Sequence, residues 1–141
     1  MNDEEYLHMH AEEEHHWWYA GMREIVLALL PPASVPSDKL VLDVGCGTGY
    51  NLSWLKARYA ARPIGIDISS NGLAFSRQRN LKDLVQGNAA SLPFRSDSFE
   101  LLTALDVVSQ MEGKENRASA FISESTRMQR LNPFVCKKRC Y

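Results

Sequence analysis

Cysteine is scarce in this 141-residue chain, with only Cys46, Cys136 and Cys140. Three cysteines build no convincing disulfide framework, so a reducing, cytoplasmic setting is expected. Long apolar runs are missing as well: nothing approaches the roughly 20 consecutive residues that span a bilayer, and no membrane span is expected. The chain opens on Asp3, Glu4 and Glu5, the reverse of the basic start of a secretory signal. Positive charge is not in excess, the net balance being -1, which argues against a nucleic-acid partner. No Cys/His spacing matches a structural zinc pattern. His8, His10, His15 and His16 with Glu12 imitate a metal cluster, but a solvated acidic first helix accounts for them, and no metal is expected. What is present is a globular balance, 45% hydrophobic and 23% charged. That balance excludes wholesale disorder and suits one domain.

The charge is unevenly placed. Residues 114–141 carry seven Lys/Arg and two Asp/Glu, a balance of +5, whereas the first 113 carry nine and fifteen, a balance of -6. Along the chain, Trp18, Met22, Ile25, Val26 and Leu29 recur at helical spacing and predict a helix from Trp17 to Leu30, stopped by Pro31-Pro32. A buried strand is expected over Lys39–Val44, and a helix through Leu52, Leu55 and Tyr59. A second strand then runs over Pro63–Ile66 up to Asp67. Ser69 or Ser70 caps a further helix to about Arg79. Leu84–Gln86 and Phe99–Leu105 read as third and fourth strands. Strands alternating with helices imply parallel βαβ units. Beyond about Gly113 the pattern degrades: Ala118–Ile122 could open a helix, Asn132-Pro133 interrupts, and no strand pattern is visible.

The informative segment is Val41-Leu42-Asp43-Val44-Gly45-Cys46-Gly47-Thr48-Gly49, where a strand turns directly into a helix. Glycines there admit positive φ and close ligand approach, and the helix N-terminus adds N–H donors. Such a turn lies at the strand ends where open α/β sheets bind ligands. Asp67 follows about 20 residues later, the distance at which an acid accepts ribose hydroxyls. Together they suggest an adenosine-containing cofactor. The pyrophosphate fingerprint is Gly-x-Gly-x-x-Gly; this loop is Gly-x-Gly-x-Gly, preceded by Asp43. A carboxylate there disfavours a pyrophosphate and suits an ammonium group, which favours S-adenosylmethionine over NAD.

These residues resemble class I S-adenosylmethionine-dependent methyltransferases. Asp43–Gly49 looks like their first motif, and Asp67 within Gly65-Ile66-Asp67-Ile68-Ser69 like their ribose-binding acid. Gly87-Asn88-Ala89, with Leu92-Pro93-Phe94 and Asp97-Ser98-Phe99-Glu100, resembles their third motif and the entry to strand four. The His15–Ile25 segment resembles the N-terminal helix of the methyltransferase type 11 group. The resemblance covers about residues 15–112. It implies a doubly wound, Rossmann-like, mostly parallel α/β sheet with order beginning 3-2-1-4. It also implies an S-adenosylmethionine cofactor and a small-molecule methyl acceptor. Gly45, Gly47 and Gly49 would then face the methionine part of the cofactor and Asp67, beside Ile68, its ribose. Asn88 and Ala89 would approach the adenine, Leu105 the cofactor floor and Arg23 the cofactor carboxylate. Asn88 stands where the family usually has Asp, and Ser109-Gln110 where it often has an acid–His pair, so no catalytic residue is named.

The expected organisation is a cofactor-binding domain over residues 1–113, with its helix at 15–30 and core at 39–113. An atypical basic tail over 114–141 follows, resembling no part of the family, so the C-terminal strands are expected to be missing or atypical. Strand four would then lie at or near a sheet edge, with Leu101, Leu102 and Val107 poorly covered and self-association favoured. A non-catalytic S-adenosylmethionine- or nucleotide-binding fragment is the alternative reading. Trp17, Trp18 and Tyr19 fit core or lid packing as well as substrate contact, and Cys46 reads as a small filler.

Overall fold

The computed structural model describes residues 2–30, 35–59, 61–105, 107, 115–128 and 134–137. Two helices, α1 (Asp3–Glu12) and α2 (Trp17–Leu29), precede an alternating series. It comprises β1 (Leu40–Val44), α3 (Tyr50–Arg58), β2 (Arg62–Asp67), α4 (Ser70–Gln78) and β3 (Leu84–Gln86). It ends with β4 (Leu101–Leu105), α5 (Glu115–Met128) and β5 (Phe134–Lys137). The five strands form one sheet in the order β3-β2-β1-β4-β5, and every pairing is parallel. The predicted 3-2-1-4 order is present, and each predicted strand lies within two residues of its observed bounds.

Both faces of the sheet are covered, which is why β1 is a nearly continuous apolar run rather than an alternating one. On one face Val41 and Leu101 pack with Val26, Leu30, Leu55 and Tyr59 from α2, α3 and their ends. Leu52 and Leu73 join α3 to α4 on the same side. On the other face Leu42, Val44, Leu102 and Ala104 pack with Phe121 and Met128 of α5. Helix α2 uses only part of its apolar stripe: Met22 and Val26 are buried, whereas Trp17, Ile25 and Leu29 are exposed.

The tail departs from expectation. Residues 114–141 supply α5 and a fifth strand, so β4 is not an edge, and Leu101 and Leu102 are fully buried. Hydrogen bonds tie α5 to the segment before β4. The Leu92 amide donates to Glu124 at 2.9 Å, and Arg127 donates to the carbonyls of Phe94 and Leu92 at 3.0 and 3.3 Å. The Phe99 amide donates to the Met128 carbonyl at 3.0 Å. The buried positions of α5, namely Phe121, Ser125 and Met128, include a serine. An apolar count therefore misses a face that is geometrically a regular i, i+4, i+7 stripe.

Candidate functional site

The sheet reverses its winding at β1: β2 lies on one side and β4 on the other. Ligands in open α/β sheets bind outside the carboxyl ends of the strands at such a switch point. Here that position is the β1–α3 turn, Gly45 to Gly49. All three glycines have positive φ, +70° at Gly45, +52° at Gly47 and +82° at Gly49.

Their surroundings differ. A Cβ on Gly45 would run into the Val107 side chain, and one on Gly49 would lie 2.6 Å from Leu81 Cδ1. These two glycines let the turn pack into the protein. A Cβ on Gly47 would point instead toward α1, with Met9 Cε at 3.2 Å and Tyr6 Cε1 at 3.8 Å. Of the three, Gly47 is the one whose free face meets side chains of another helix, Met9 and Tyr6 of α1, rather than the packing around the turn. Several donors of the loop are already engaged. The Gly45 and Cys46 amides both donate to the Ile66 carbonyl, at 2.8 and 3.1 Å, and the Gly49 amide to Cys46 at 2.9 Å.

Asp67 ends β2 and is 6% exposed. Its Oδ2 accepts the Gly47 amide at 2.8 Å, and its Oδ1 accepts the Ser69 amide at 2.8 Å. The carboxylate thus braces the glycine loop against the start of α4, which Ser69 caps by accepting the Gly72 amide. Ile68 beside Asp67 is 68% exposed. At the end of β3, Asn88 is exposed and its Oδ1 accepts the Ala90 amide at 2.9 Å; Ala89 packs partly buried against the sheet core. Leu105 ends β4, half-buried.

Asp43 is fully buried within β1 and accepts the Thr103 hydroxyl at 2.6 Å. Burial raises its pKa to about 7 from the ordinary 3.8, the Thr103 hydroxyl opposing and the nearby Asp67 adding to the rise. The loop is therefore less negative at neutral pH than an always-ionised Asp43 implies. Burial, with the charges of Asp43 and Asp67 adding, drives the Cys46 thiol well above its ordinary value, consistent with an inert filler.

Sequence reasoning read a helix here but missed its buried face. The stretch read as a solvated acidic helix buries one face: Tyr6 and Glu13 are buried, Met9 and His10 half-buried, and the intervening residues exposed. Positions 6, 9, 10 and 13 form an i, i+3, i+4, i+7 stripe, a signal obscured because two of its members are His and Glu. Tyr6 donates its hydroxyl to Asp67 Oδ1 at 3.2 Å. Glu13 accepts the Thr48 hydroxyl at 2.6 Å and forms an ion pair with Arg79 at 2.7 Å. Arg23 donates to the Glu13 carbonyl at 3.0 Å and lies 4.6 Å over the Tyr50 ring, with Arg79 at 5.0 Å from the same ring. Arg23 thus stands near the start of α3, engaged by α1 and Tyr50.

A cavity of about 470 Å³ lined by Lys56, Tyr59, Arg62, Leu81, Lys82 and Asp83 lies at the amino ends of the strands. The site is placed at the carboxyl ends because the glycine turn and Asp67 converge there. Among the described residues no group of three His, Cys, Asp or Glu side chains could hold a metal ion. No helix among them is long and apolar enough to cross a membrane. Ser109, Gln110 and Cys140 lie outside the described residues.

A family model described as a methyltransferase domain matches residues 42–132, from the middle of β1 to just before β5. The chain belongs to the methyltransferase-domain family. The match covers the glycine turn, Asp67 and α5, so residues 114–132 do resemble the family, contrary to the expectation for the tail; Arg23 lies outside it. The cofactor of this family is S-adenosylmethionine. The chain is 32% identical over 92 residues to an erythromycin 3''-O-methyltransferase of Saccharopolyspora erythraea, covering 60% of this chain and 30% of that one. It is 34% identical over 88 residues to a tRNA (carboxymethyluridine(34)-5-O)-methyltransferase of Xenopus tropicalis, covering 62% and 13%. Among solved structures it is similar to a geranyl diphosphate C-methyltransferase of Streptomyces coelicolor, crystallised with S-adenosyl-L-homocysteine. The TM-score is 0.72 at 18% identity, over 86% of this chain and 46% of that one, a likeness of fold. The chain spans about a third of the length of the first curated relatives it matches.

Proposed function

We propose that this methyltransferase-family domain binds S-adenosylmethionine across the β1–α3 turn and directs its methyl group to a small-molecule acceptor. The observation that carries the reading is the meeting of Gly47 and Asp67 at the switch point. A glycine clear of its own side chain lies beside a buried carboxylate at the end of the neighbouring strand, with 2.8 Å between amide and oxygen. Both fit the cofactor. Gly47 leaves room for its methionine part, and Asp67 accepts ribose hydroxyls through charge-assisted bonds. Ile68 and Ala89 offer apolar surface to the adenine, and the Asn88 carbonyl an acceptor to its amino group. Gly45 and Gly49 hold the turn in shape, Leu105 closes the floor, and Asp43 places negative charge below the ammonium group. Arg23 of α2, stacked over Tyr50 at the start of α3, is the candidate partner of the cofactor carboxylate.

Bound there, the cofactor supplies an electrophilic methyl on a sulfonium centre. The protein's part is position and field. The acidic balance of residues 1–113 supports a small-molecule acceptor over a nucleic acid, and three cysteines too few for a convincing disulfide framework support a reducing, cytoplasmic setting. The test is transfer of a labelled methyl group from S-adenosylmethionine to a panel of hydroxylated and amine small molecules, with bulk tRNA alongside. Labelled small-molecule product supports the reading. Labelled tRNA alone redirects the acceptor class, and cofactor binding without any turnover favours a non-catalytic binding fragment.

A further inference from the structure

A carboxylate offers about four lone-pair sites. Three of those on Asp67 are taken, by the amides of Gly47 and Ser69 and by the Tyr6 hydroxyl. Two ribose hydroxyls need two, so one more must be vacated. The two amides belong to the turn and to the start of α4, whose geometry depends on them. Tyr6 belongs to neither. Its hydroxyl is the removable partner, and burial together with the Asp67 charge pushes its pKa up, so it remains a donor at any ordinary pH. The space above Gly47 is filled in the same way, because Met9 Cε lies 3.2 Å from the position a Cβ on Gly47 would take. Gly72 completes the seat: a Cβ there would lie 2.9 Å from the Tyr6 ring.

Helix α1 is held by contacts of different character at its two ends, and between them the His10 ring stacks on Phe75 of α4 at 4.6 Å. Near its N-terminal end are the contacts just described. At its C-terminal end Glu13 is fixed by Thr48 and Arg79, and Arg79 also donates to Glu14 at 2.7 Å. These second contacts touch neither Asp67 nor Gly47. The chain passes from there through a turn at 13–15 into α2. We infer that α1 is an intramolecular plug: Tyr6 occupies the ribose acceptor and Met9 the surface of Gly47. The adenosine cofactor binds fully only after α1 swings away about its anchor at Glu13. The inference rests on the cofactor placement proposed above. Its consequence is a reduced apparent affinity, since the cofactor meets a competent site only in the fraction of molecules with α1 displaced.

The experiment compares the unaltered chain with Tyr6→Phe and Tyr6→Ala. S-adenosylhomocysteine is titrated by calorimetry, and amide hydrogen exchange is followed without ligand. Tyr6→Phe removes the hydroxyl alone and should tighten binding by about three- to tenfold; Tyr6→Ala also removes the ring and should tighten it further. Exchange in residues 3–12 and at Gly47 should accelerate in the same order. Weaker binding in that order would mean that Tyr6 holds the cofactor rather than excludes it, and would overturn the inference, as would unchanged affinity. Should no form bind the ligand, the cofactor placement fails and the inference with it. Unchanged exchange in that case would show in addition that Tyr6 does not pin α1.

Discussion

Phe121→Ala probes whether the basic C-terminal segment is part of the fold. Phe121 is completely buried in α5, within the cluster that contains Leu42, Val44, Phe99 and Leu102. Truncating a buried phenylalanine costs about 3–5 kcal/mol, from lost transfer free energy and the cavity left behind. A domain of this size has roughly 5–15 kcal/mol in total, so the substitution removes a large share of it. At about 2–4 °C per kcal/mol, the melting temperature should fall by roughly 6–20 °C. Ile122 is the internal control: it is the next residue, in the same helix, and 56% exposed, so Ile122→Ala should stay within about 0.5 kcal/mol. Urea unfolding followed by far-ultraviolet circular dichroism measures both. A loss below about 1 kcal/mol for Phe121→Ala, or equal losses for the pair, would refute the packing of α5 on the sheet.

The glycines of the turn should separate by role. Gly49→Ala adds overpacking, about 1–3 kcal/mol, to the cost of a left-handed backbone, whereas Gly47→Ala carries mainly the backbone cost of about 1–2 kcal/mol and loses cofactor binding. Thermal melts and calorimetry on the two variants read the difference, and equal stability losses would contradict it. Asp43→Asn should alter the pH dependence of folding. With a pKa raised to about 7 against 3.8, the folded chain holds this proton more tightly, so stability falls as pH rises through that window. The asparagine variant escapes this fall and should gain about 2–3 kcal/mol on the unaltered chain between pH 5 and pH 8; parallel curves would contradict the raised pKa. If Asp43 lies below the cofactor's ammonium group, that positive charge lowers its pKa, and binding near pH 7 should release a proton, read from calorimetry in buffers of different ionisation enthalpy.

The α/β core was legible because its signals are local. The apolar runs at Leu40–Val44 and Leu101–Leu105 have the length of buried parallel strands, and the turn between Val44 and Tyr50 has a composition few other structures need. Asp67 was legible by its distance from that turn. Its bracing of the Gly47 amide was not, since a hydrogen bond between residues twenty apart depends on how two strands lie side by side. Helix α5 was legible only at Ala118–Ile122, because its buried stripe includes the polar Ser125 and Arg127 acts through backbone carbonyls 33 and 35 residues away in sequence. The buried face of α1 escaped for a related reason: Glu13 is buried through Thr48 and Arg79, partners supplied by distant segments. Where burial is set by tertiary pairing of polar groups, hydrophobic periodicity carries little of the information.

The central claim is that Asp67 and Gly47 form the seat of an adenosylated methionine cofactor. A modified ligand tests it more directly than a modified protein, because Asp67 also braces the loop. Calorimetric titration of the unaltered chain would compare S-adenosylhomocysteine, its analogue lacking both ribose hydroxyls, and NAD. Two charge-assisted bonds of roughly 1.5–3 kcal/mol each predict saturable binding of the first, at least about tenfold weaker binding of the second, and none of the third. Equal affinity for the first two, or binding of NAD in place of S-adenosylhomocysteine, would contradict the account.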